Sequence, residues 1–383
     1  MKSALGFSLA LAFCATPALS ERLTDVAFQQ ISETVFGPVI DAFDIPGMAI
    51  GVTYRGETYI YTYGVAVRET AQPVTPDTLF ELGSVSKLFS VALAGLADAR
   101  GVLSLERPVS DWMPDIKGSA FDTITLYDLA AHANGGLPLQ VPAQIRTDAD
   151  LTRWLADWTT DGDPRHIRSY SNLSIGLLGK ITGEAFGSDY DTALKKELLP
   201  ALGLESTYVT VPEAAMQHYA FGYDRFGDSP VRVGLNILDA EAYGLKSSLT
   251  DMIRFLETHL GLHPISAEVA AALARTRAAR YDTAHYAQAM VWEEYVWPVT
   301  AEQLAAGNSR QMALAPQPIT ERDAPLEGPM FLNKTGATNG FGAYVAMVPE
   351  EEIGVVVLAN RYYPNPVRAR ATLELITAIL DAE

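Results

Sequence analysis

The segments that look like β-strands lie towards the two ends of this chain, which limits the folds that it can adopt. Residues 47–67 are rich in Val, Ile, Thr and Tyr and read as two strands around a turn at Arg55 and Gly56. Residues 331–361 read as three more strands, and the region between shows mostly helical patterns and loops. Strands from both ends predict an α+β fold: one antiparallel β-sheet flanked by helices, an inserted helix-rich lobe, and a cleft between the two.

No internal repeat or low-complexity linker divides the 383 residues, a length that suits one large domain or two ordinary ones. We expect residues 21–383 to form a single domain. Its sheet lobe would come from about residues 21–80 and 245–383, and its helix-rich lobe mainly from residues 81–244. The clearest helical patterns cover residues 88–99, 151–158, 248–260 and 371–380.

The first twenty residues differ from the rest of the chain. One lysine precedes an apolar run that ends in Ala18-Leu19-Ser20, which predicts a secretory signal peptide cut before Glu21 and a periplasmic mature protein. A membrane anchor is the alternative, but the run is too short to span a bilayer comfortably. A lipoprotein signal would use Cys14, but bulky Phe13 stands before it, where such signals want a small residue.

The charge and cysteine content exclude several classes of function. The formal net charge is −18, which disfavours nucleic acid or an anionic membrane surface as a partner. Cys14 is the only cysteine, so the mature chain has no disulfide, thiol nucleophile or zinc–thiolate site. His259 and His263 are four residues apart, but Gly261 lies between them and no His-Glu-x-x-His pattern is present. We expect neither a metal nor a cofactor.

Ser84 and Lys87 form a Ser-x-x-Lys pattern at the start of an apolar helical segment. Residues i and i+3 share a helix face, so these two side chains should meet, whereas Ser86 should point elsewhere. A serine at the first helical turn lies near free backbone amides that favour a developing anion, and it needs a neighbouring base to act as a nucleophile. The alternative is an ordinary capping serine beside a solvated lysine.

Two further motifs favour the catalytic interpretation. Tyr170-Ser171-Asn172 is a Tyr-x-Asn motif, and Lys334-Thr335-Gly336 lies on a segment that we expect to be an edge strand. A Ser-His-Asp triad is disfavoured because His132 and His166 have no Asp-linked context and no Gly-x-Ser-x-Gly motif is present.

With these motifs the chain resembles the penicillin-recognising serine enzymes, and Tyr-x-Asn in the middle position is similar to the class C serine β-lactamases. Residues 134–142, 238–248, 334–350 and 359–368 carry the same resemblance, which spans about residues 47–368. It implies a serine β-lactamase/D-alanyl carboxypeptidase-like fold and a monomeric periplasmic cephalosporinase. Such an enzyme hydrolyses the β-lactam amide bond of cephalosporins and penicillins through an acyl-enzyme. A serine esterase or D-alanyl-D-alanine carboxypeptidase of the same fold, and a non-catalytic β-lactam sensor, are the alternatives.

The resemblance also implies roles at the site. Ser84 would be the nucleophile, and its own amide and that of Ala337 would form the oxyanion hole. Tyr170 would take the serine proton, either as a phenolate held by Lys87 and Lys334 or as a relay for a neutral Lys87.

Other residues would bind the substrate. Asn172 and Gln140 would hold its side-chain amide, and Lys334, Thr335 and Asn365 would meet its carboxylate. The full set of expected substrate-binding residues, besides the catalytic ones, is Gln140, Asn172, Tyr243, Thr335, Gly336, Asn365 and Arg368.

Four positions depart from the family pattern: Asn333 stands where histidine is common, Tyr362 where asparagine is usual, His132 where tyrosine is usual, and Leu88 where threonine is typical. Tyr362 puts the carboxylate contacts, and hence the substrate preference, in doubt.

Overall fold

The computed structural model describes residues 23–324 and 326–382. The predicted signal peptide lies outside these residues. In chain order, the strands are β1 (Gly47–Tyr54), β2 (Glu57–Val67), β3 (Gln72–Pro73), β4 (Phe80–Glu81), β5 (Ile167–Arg168), β6 (Thr207–Tyr208), β7 (Gly222–Tyr223), β8 (Pro230–Val231), β9 (Lys246–Ser247), β10 (Tyr281–Asp282), β11 (Ala287–Gln288), β12 (Glu293–Val296), β13 (Gln317–Pro318), β14 (Thr320–Glu321), β15 (Met330–Ala337), β16 (Gly342–Val348) and β17 (Ile353–Ala359).

The α-helices are α1 (Asp25–Phe43), α2 (Ser86–Ala99), α3 (Leu126–Ala130), α4 (Asp148–Asp157), α5 (Asn172–Ala185), α6 (Tyr190–Ala193), α7 (Leu199–Leu202), α8 (Asp239–Tyr243), α9 (Leu249–Leu260), α10 (Ala267–Thr276), α11 (Ala301–Gly307), α12 (Arg310–Leu314) and α13 (Asn365–Asp381). Short 3₁₀ turns cover Gly83–Val85, Val109–Asp111, Pro114–Ile116, Ala120–Asp122, Glu213–His218 and Pro349–Glu351, and a π-helical turn covers Leu194–Leu198. No helix in the described part of the chain is long and apolar enough to cross a membrane.

Strands from both ends of the chain join in one large antiparallel sheet, as the sequence predicts. Within the described residues its order is β14-β10-β11-β12-β15-β16-β17-β1-β2-β3. The junction is the pairing of β1 with β17, which sets Met48 opposite Ala359. The predicted α+β fold class is therefore confirmed.

Both faces of the central strands are covered, which explains why β17 is a continuous apolar run. Its residues alternate between two cores: Val355 and Val357 pack with the core that contains α1 and α13, while Val356 and Leu358 pack with the other core. Helix α9 lies against β1 and β17 on this second side. Helix α1 was not predicted, although Phe28, Phe36 and Ile40 are buried along one of its faces.

The strand that carries Lys-Thr-Gly is not an edge strand, so that expectation is wrong. Strand β15 lies between β12 and β16. Its pairing with β12 covers only Met330 to Asn333, whereas its pairing with β16 continues to Ala337. The half of β15 from Lys334 to Ala337 consequently has one free edge inside the sheet, which the sequence alone could not show.

Helix α2 forms the centre of the helix-rich region. All its residues from Ser86 to Ala97 are buried, and it packs against α5, α8 and α10. The 3₁₀ turn before it, Gly83–Val85, packs against β15. The start of this buried helix is thereby fixed beside the free edge of β15, and the candidate site is located there.

Candidate active site

Ser84 and Lys87 meet at the start of α2, as their spacing predicts. Lys87 Nζ lies 3.1 Å from Ser84 Oγ and donates to Asn172 Oδ1 at 2.6 Å and to the Ala242 carbonyl at 2.8 Å. Lys87 is fully buried, so it is not a solvated surface lysine. Ser86 Oγ faces away and accepts a hydrogen bond from the backbone N–H of Leu245.

Two glycines allow the segment before α2 to touch β15. A Cβ on Gly83, whose φ is +52°, would lie 2.4 Å from the backbone nitrogen of Ala337, and a Cβ on Gly336 would lie 2.0 Å from the Leu82 carbonyl oxygen. Both glycines thus make room for neighbouring backbone, and substrate binding at Gly336 stays a prediction. This contact places Ser84 next to Ala337, the two residues expected to supply the oxyanion hole.

Substituting Gly336 with alanine is therefore expected to lower kcat/KM by about 10²-fold, because the new methyl group would push β15 away from Leu82. Overpacking should also lower the free energy of unfolding by roughly 1–3 kcal/mol. Gly37→Ala is a matched control, since a Cβ at Gly37 has no atom within 4 Å. Steady-state kinetics and urea unfolding measure both effects. Activity of Gly336→Ala equal to that of the control would contradict this role.

Tyr170 lies between β5 and α5, surrounded by positive charge. The distances to its ring centroid are 5.1 Å for Lys87 Nζ, 5.2 Å for Lys334 Nζ and 5.5 Å for the guanidinium carbon of Arg168. Burial alone would raise the pKa of Tyr170, but the charges of Lys334 and Lys87, with hydrogen bonds from Ser84 and Lys87, lower its pKa to about 8. The phenol is thereby made a far stronger acid than a free tyrosine.

The pKa of Lys87 is shifted towards the same value. Burial is the main cause of this decrease, and the charge of Lys334 adds to the decrease. Tyr170 opposes the decrease, and the net effect lowers the pKa of Lys87 to about 8. An ammonium could donate to Ser84 Oγ, Asn172 Oδ1 and the Ala242 carbonyl, whereas a neutral amine would accept from the Ser84 hydroxyl and donate to the other two. Both protonation patterns fit this geometry.

Lys334 is almost completely buried on β15, and its Nζ donates to the Thr335 carbonyl at 3.1 Å. The carboxylate of Glu293 lies 3.9 Å from the same nitrogen. Burial raises the pKa of Glu293, although Lys334 and Arg168 oppose that rise. Nothing in the local sequence pattern of Glu293 shows that β12 begins there, beside Lys334.

Asn172 and Gln140 are brought together, since Asn172 Nδ2 donates to Gln140 Oε1 at 3.1 Å. Gln140 is exposed, so this pair forms part of the site's surface. Tyr243 ends α8 directly after Ala242, whose carbonyl accepts from Lys87. Burial raises the pKa of Tyr243, and its hydrogen bond with Asp239 contributes to the rise.

The expected carboxylate contacts divide into two kinds. Asn365 begins α13 and is half-buried. Arg368 is fully buried, and its guanidinium donates to the carbonyls of Gly336, Ala343 and Tyr363. In the structure Arg368 therefore positions the backbone of β15 and β16, and its contact with substrate stays a prediction.

Of the four histidines considered in the sequence, His166 does have an acidic neighbour, since its Nδ1 lies 3.2 Å from Asp163 Oδ2, but both side chains are exposed. His132 is buried, its ring centroid lies 4.5 Å from that of Tyr170, and burial with the charges of Arg168, Lys87 and Lys334 holds its pKa well below the usual range. His259 is buried among Phe255 and Trp292. Over residues 23–324 and 326–382, no group of three or more His, Cys, Asp or Glu side chains could hold a metal ion.

Comparison with known proteins assigns the family. The family model described as "Beta-lactamase" matches residues 33–378. A β-lactamase of Providencia stuartii is 40% identical over 369 residues, which cover 94% of this chain and 95% of that protein.

Solved structures agree with this assignment. A class C β-lactamase from Rhodobacter sphaeroides is 52% identical, with a TM-score of 0.90, over 92% of this chain and 99% of that one. A β-lactamase/D-alanine carboxypeptidase from Pseudomonas syringae is 39% identical, with a TM-score of 0.89, over 92% and 99% of the two chains. A class C β-lactamase in complex with cefoxitin is 36% identical, with a TM-score of 0.89, over 93% of this chain and 100% of that one. The chain thus has the expected fold, and it belongs to the β-lactamase family.

Proposed function

We propose that this protein is a class C serine β-lactamase that hydrolyses the amide bond of cephalosporins and penicillins through an acyl-enzyme on Ser84, and so confers resistance to them. The observation that carries the proposal is the cluster of half-buried Ser84 and Tyr170 with buried Lys87 and Lys334 beside the free edge of β15. The cefoxitin complex of a family member supports the substrate class.

Acylation begins when Tyr170, as a phenolate, accepts the proton of Ser84 while Oγ attacks the lactam carbonyl carbon. The negative charge that develops on the carbonyl oxygen is stabilised by the backbone N–H groups of Ser84 and Ala337. The carbon–nitrogen bond then breaks, and the departing nitrogen takes the proton from Tyr170. In deacylation, Tyr170 takes a proton from water as that water attacks the ester carbon, and Ser84 Oγ leaves with the proton.

The same cluster explains how an acidic protein binds an anionic substrate. Lys334, Thr335 and Asn365 would bind the ring carboxylate, and Asn172 with Gln140 would bind the side-chain amide. Buried Lys87 and Lys334 concentrate positive charge in a chain with a formal net charge of −18.

A D-alanyl carboxypeptidase or esterase activity is the second candidate, because the Pseudomonas syringae neighbour is described as both β-lactamase and D-alanine carboxypeptidase. A non-catalytic sensor is disfavoured because the complete set of Ser84, Lys87 and Tyr170 is assembled.

Incubation with a chromogenic cephalosporin separates these functions. Steady turnover supports a β-lactamase. A single stoichiometric burst contradicts it and supports a carboxypeptidase or a sensor. Hydrolysis of a short ester without reaction of the lactam contradicts it and supports an esterase.

The mature protein is further proposed to be a periplasmic monomer of residues 21–383, on the strength of the signal-like sequence at residues 1–20. N-terminal sequencing of the protein from a periplasmic extract should find Glu21 first, and size-exclusion chromatography with light scattering should give the mass of one chain. Retention of the N-terminus in the membrane fraction would contradict this location.

Replacing Lys334 with glutamine should move the acidic limb of the pH–kcat profile upward by about one pH unit or more. The charge of Lys334 lowers the pKa of both Tyr170 and Lys87, so its removal raises whichever pKa belongs to the base. The base then loses its proton only at a higher pH. Lys334→Arg retains the charge and is the control. A limb that stays in place, or moves to lower pH, would contradict the role of this charge.

A further inference from the structure

Arg225 presents a positive charge next to the Lys-Thr-Gly strand. It lies in the turn between β7 and β8, and its Nη2 donates to the Thr338 carbonyl at 3.0 Å. Its guanidinium carbon lies 3.8 Å from the ring centroid of Tyr362. Arg225 is exposed. Its charge is therefore held at the surface beside Thr338, where it also interacts electrostatically with the carboxylate of Asp224.

The contacts around Arg225 hold this turn against the end of β15. Asn339 Nδ2 donates to the carboxylate of Asp224, and a Cβ on Gly340 would lie 2.8 Å from the backbone of Gly222. The guanidinium carbon of buried Arg368 lies 5.3 Å from the same ring centroid. Tyr362 thus has a buried and an exposed arginine close to its ring.

The order of residues along β15 tells which end of the substrate would face Arg225. In the proposed function, the ring carboxylate lies at Lys334 and Thr335, and the reacting carbonyl lies at Ala337. The acyl side chain would then extend past Ala337 to Thr338, whose carbonyl Arg225 binds. Thr338 directly follows Ala337, and consecutive Cα atoms are about 3.8 Å apart, so a guanidinium on the Thr338 carbonyl would lie near a group a few bonds beyond the side-chain amide.

We propose that Arg225, stacked on Tyr362, binds a negatively charged group at the far end of the substrate's acyl side chain. This inference rests on the proposed function and adds a substrate preference to it: β-lactams whose acyl side chain carries a carboxylate. A guanidinium that stacks on an aromatic face and keeps free N–H donors suits a carboxylate ligand. Tyr362 fills a position where the family usually has asparagine and provides the platform for that stack.

The test uses two cephalosporins that differ only at the end of the acyl chain, one carrying glutaryl and the other its monomethyl ester. The ratio of kcat/KM for the acid to that for the ester should fall about tenfold in Arg225→Gln, and Arg225→Lys should restore part of it. Arg153→Gln is the control, because it removes one charge from an exposed side chain on α4 and should leave the ratio unchanged.

A second measurement does not depend on turnover. In a Ser84→Ala background, the ratio of the dissociation constants of the two ligands should change by the same factor when Arg225 becomes glutamine. An equal loss of kcat/KM or of affinity for the acid and the ester, which leaves the ratio unchanged, would overturn the inference. A wild-type protein that hydrolyses neither compound would contradict the proposed function, and the binding ratio would still decide the role of Arg225.

Discussion

Replacing Ser84 with alanine is expected to lower kcat for cephalosporin hydrolysis by at least about 10³-fold. Ser84 Oγ lies 3.1 Å from Lys87 Nζ, and without this oxygen no acyl-enzyme can form. The fold should be retained, because Ser84 is only half-buried in a short 3₁₀ turn before α2. Turnover of a chromogenic cephalosporin and thermal unfolding measure the two properties.

Ser86→Ala is the matched control, two residues further along. Ser86 is fully buried and its Oγ accepts from the Leu245 N–H, so its loss should lower the free energy of unfolding by about 1–2 kcal/mol while the chemical step continues. An inactive Ser86→Ala variant beside an active Ser84→Ala variant would contradict the assignment of the nucleophile.

Lys87→Ala should lower kcat by about 10³-fold, and Lys87→Arg should retain activity within about 10- to 100-fold of the wild type. We base this on a Tyr170 phenolate, which needs a positive charge beside it but not a proton transfer through Lys87. An arginine supplies the charge and cannot act as a neutral base. The acidic limb of the pH–rate profile should stay close to that of the wild type.

The larger guanidinium must fit where Lys87 Nζ is enclosed by Ser84, Asn172 and Ala242. A crystal structure of Lys87→Arg with Ser84 in its original place is therefore part of the test. An arginine variant as inactive as the alanine variant, with Ser84 unmoved, would show that neutral Lys87 is the base and Tyr170 the relay.

Local features of the site could be predicted from the sequence because they depend on short-range geometry. The spacing of Ser84 and Lys87 puts both side chains on one helix face, and the two strands around Arg55-Gly56 pair with each other as one hairpin. By contrast, the free edge at Lys334 exists because β12 ends its pairing at Asn333, forty residues along the chain from Glu293. Sheet order of this kind is a long-range property that no local pattern contains.

Burial explains the other differences. The resemblance predicts that Arg368 binds substrate, and the structure adds that it holds carbonyls from three separate segments. Gly83 and Gly336 are each needed because another backbone lies where the Cβ of a larger residue would be. These roles depend on which segments meet in the fold, and only the structure gives that information.

The most direct test of the serine mechanism is peptide mapping by mass spectrometry after brief incubation of the purified protein with cefoxitin. A β-lactam that acylates the enzyme should add its full mass, or that mass less a leaving group, to the peptide that contains Ser84. Fragmentation should place the added mass on Ser84 itself, and the Ser84→Ala variant should acquire none. An adduct on Ser86, or hydrolysis of cefoxitin by an enzyme that never carries an adduct at Ser84, would contradict the account.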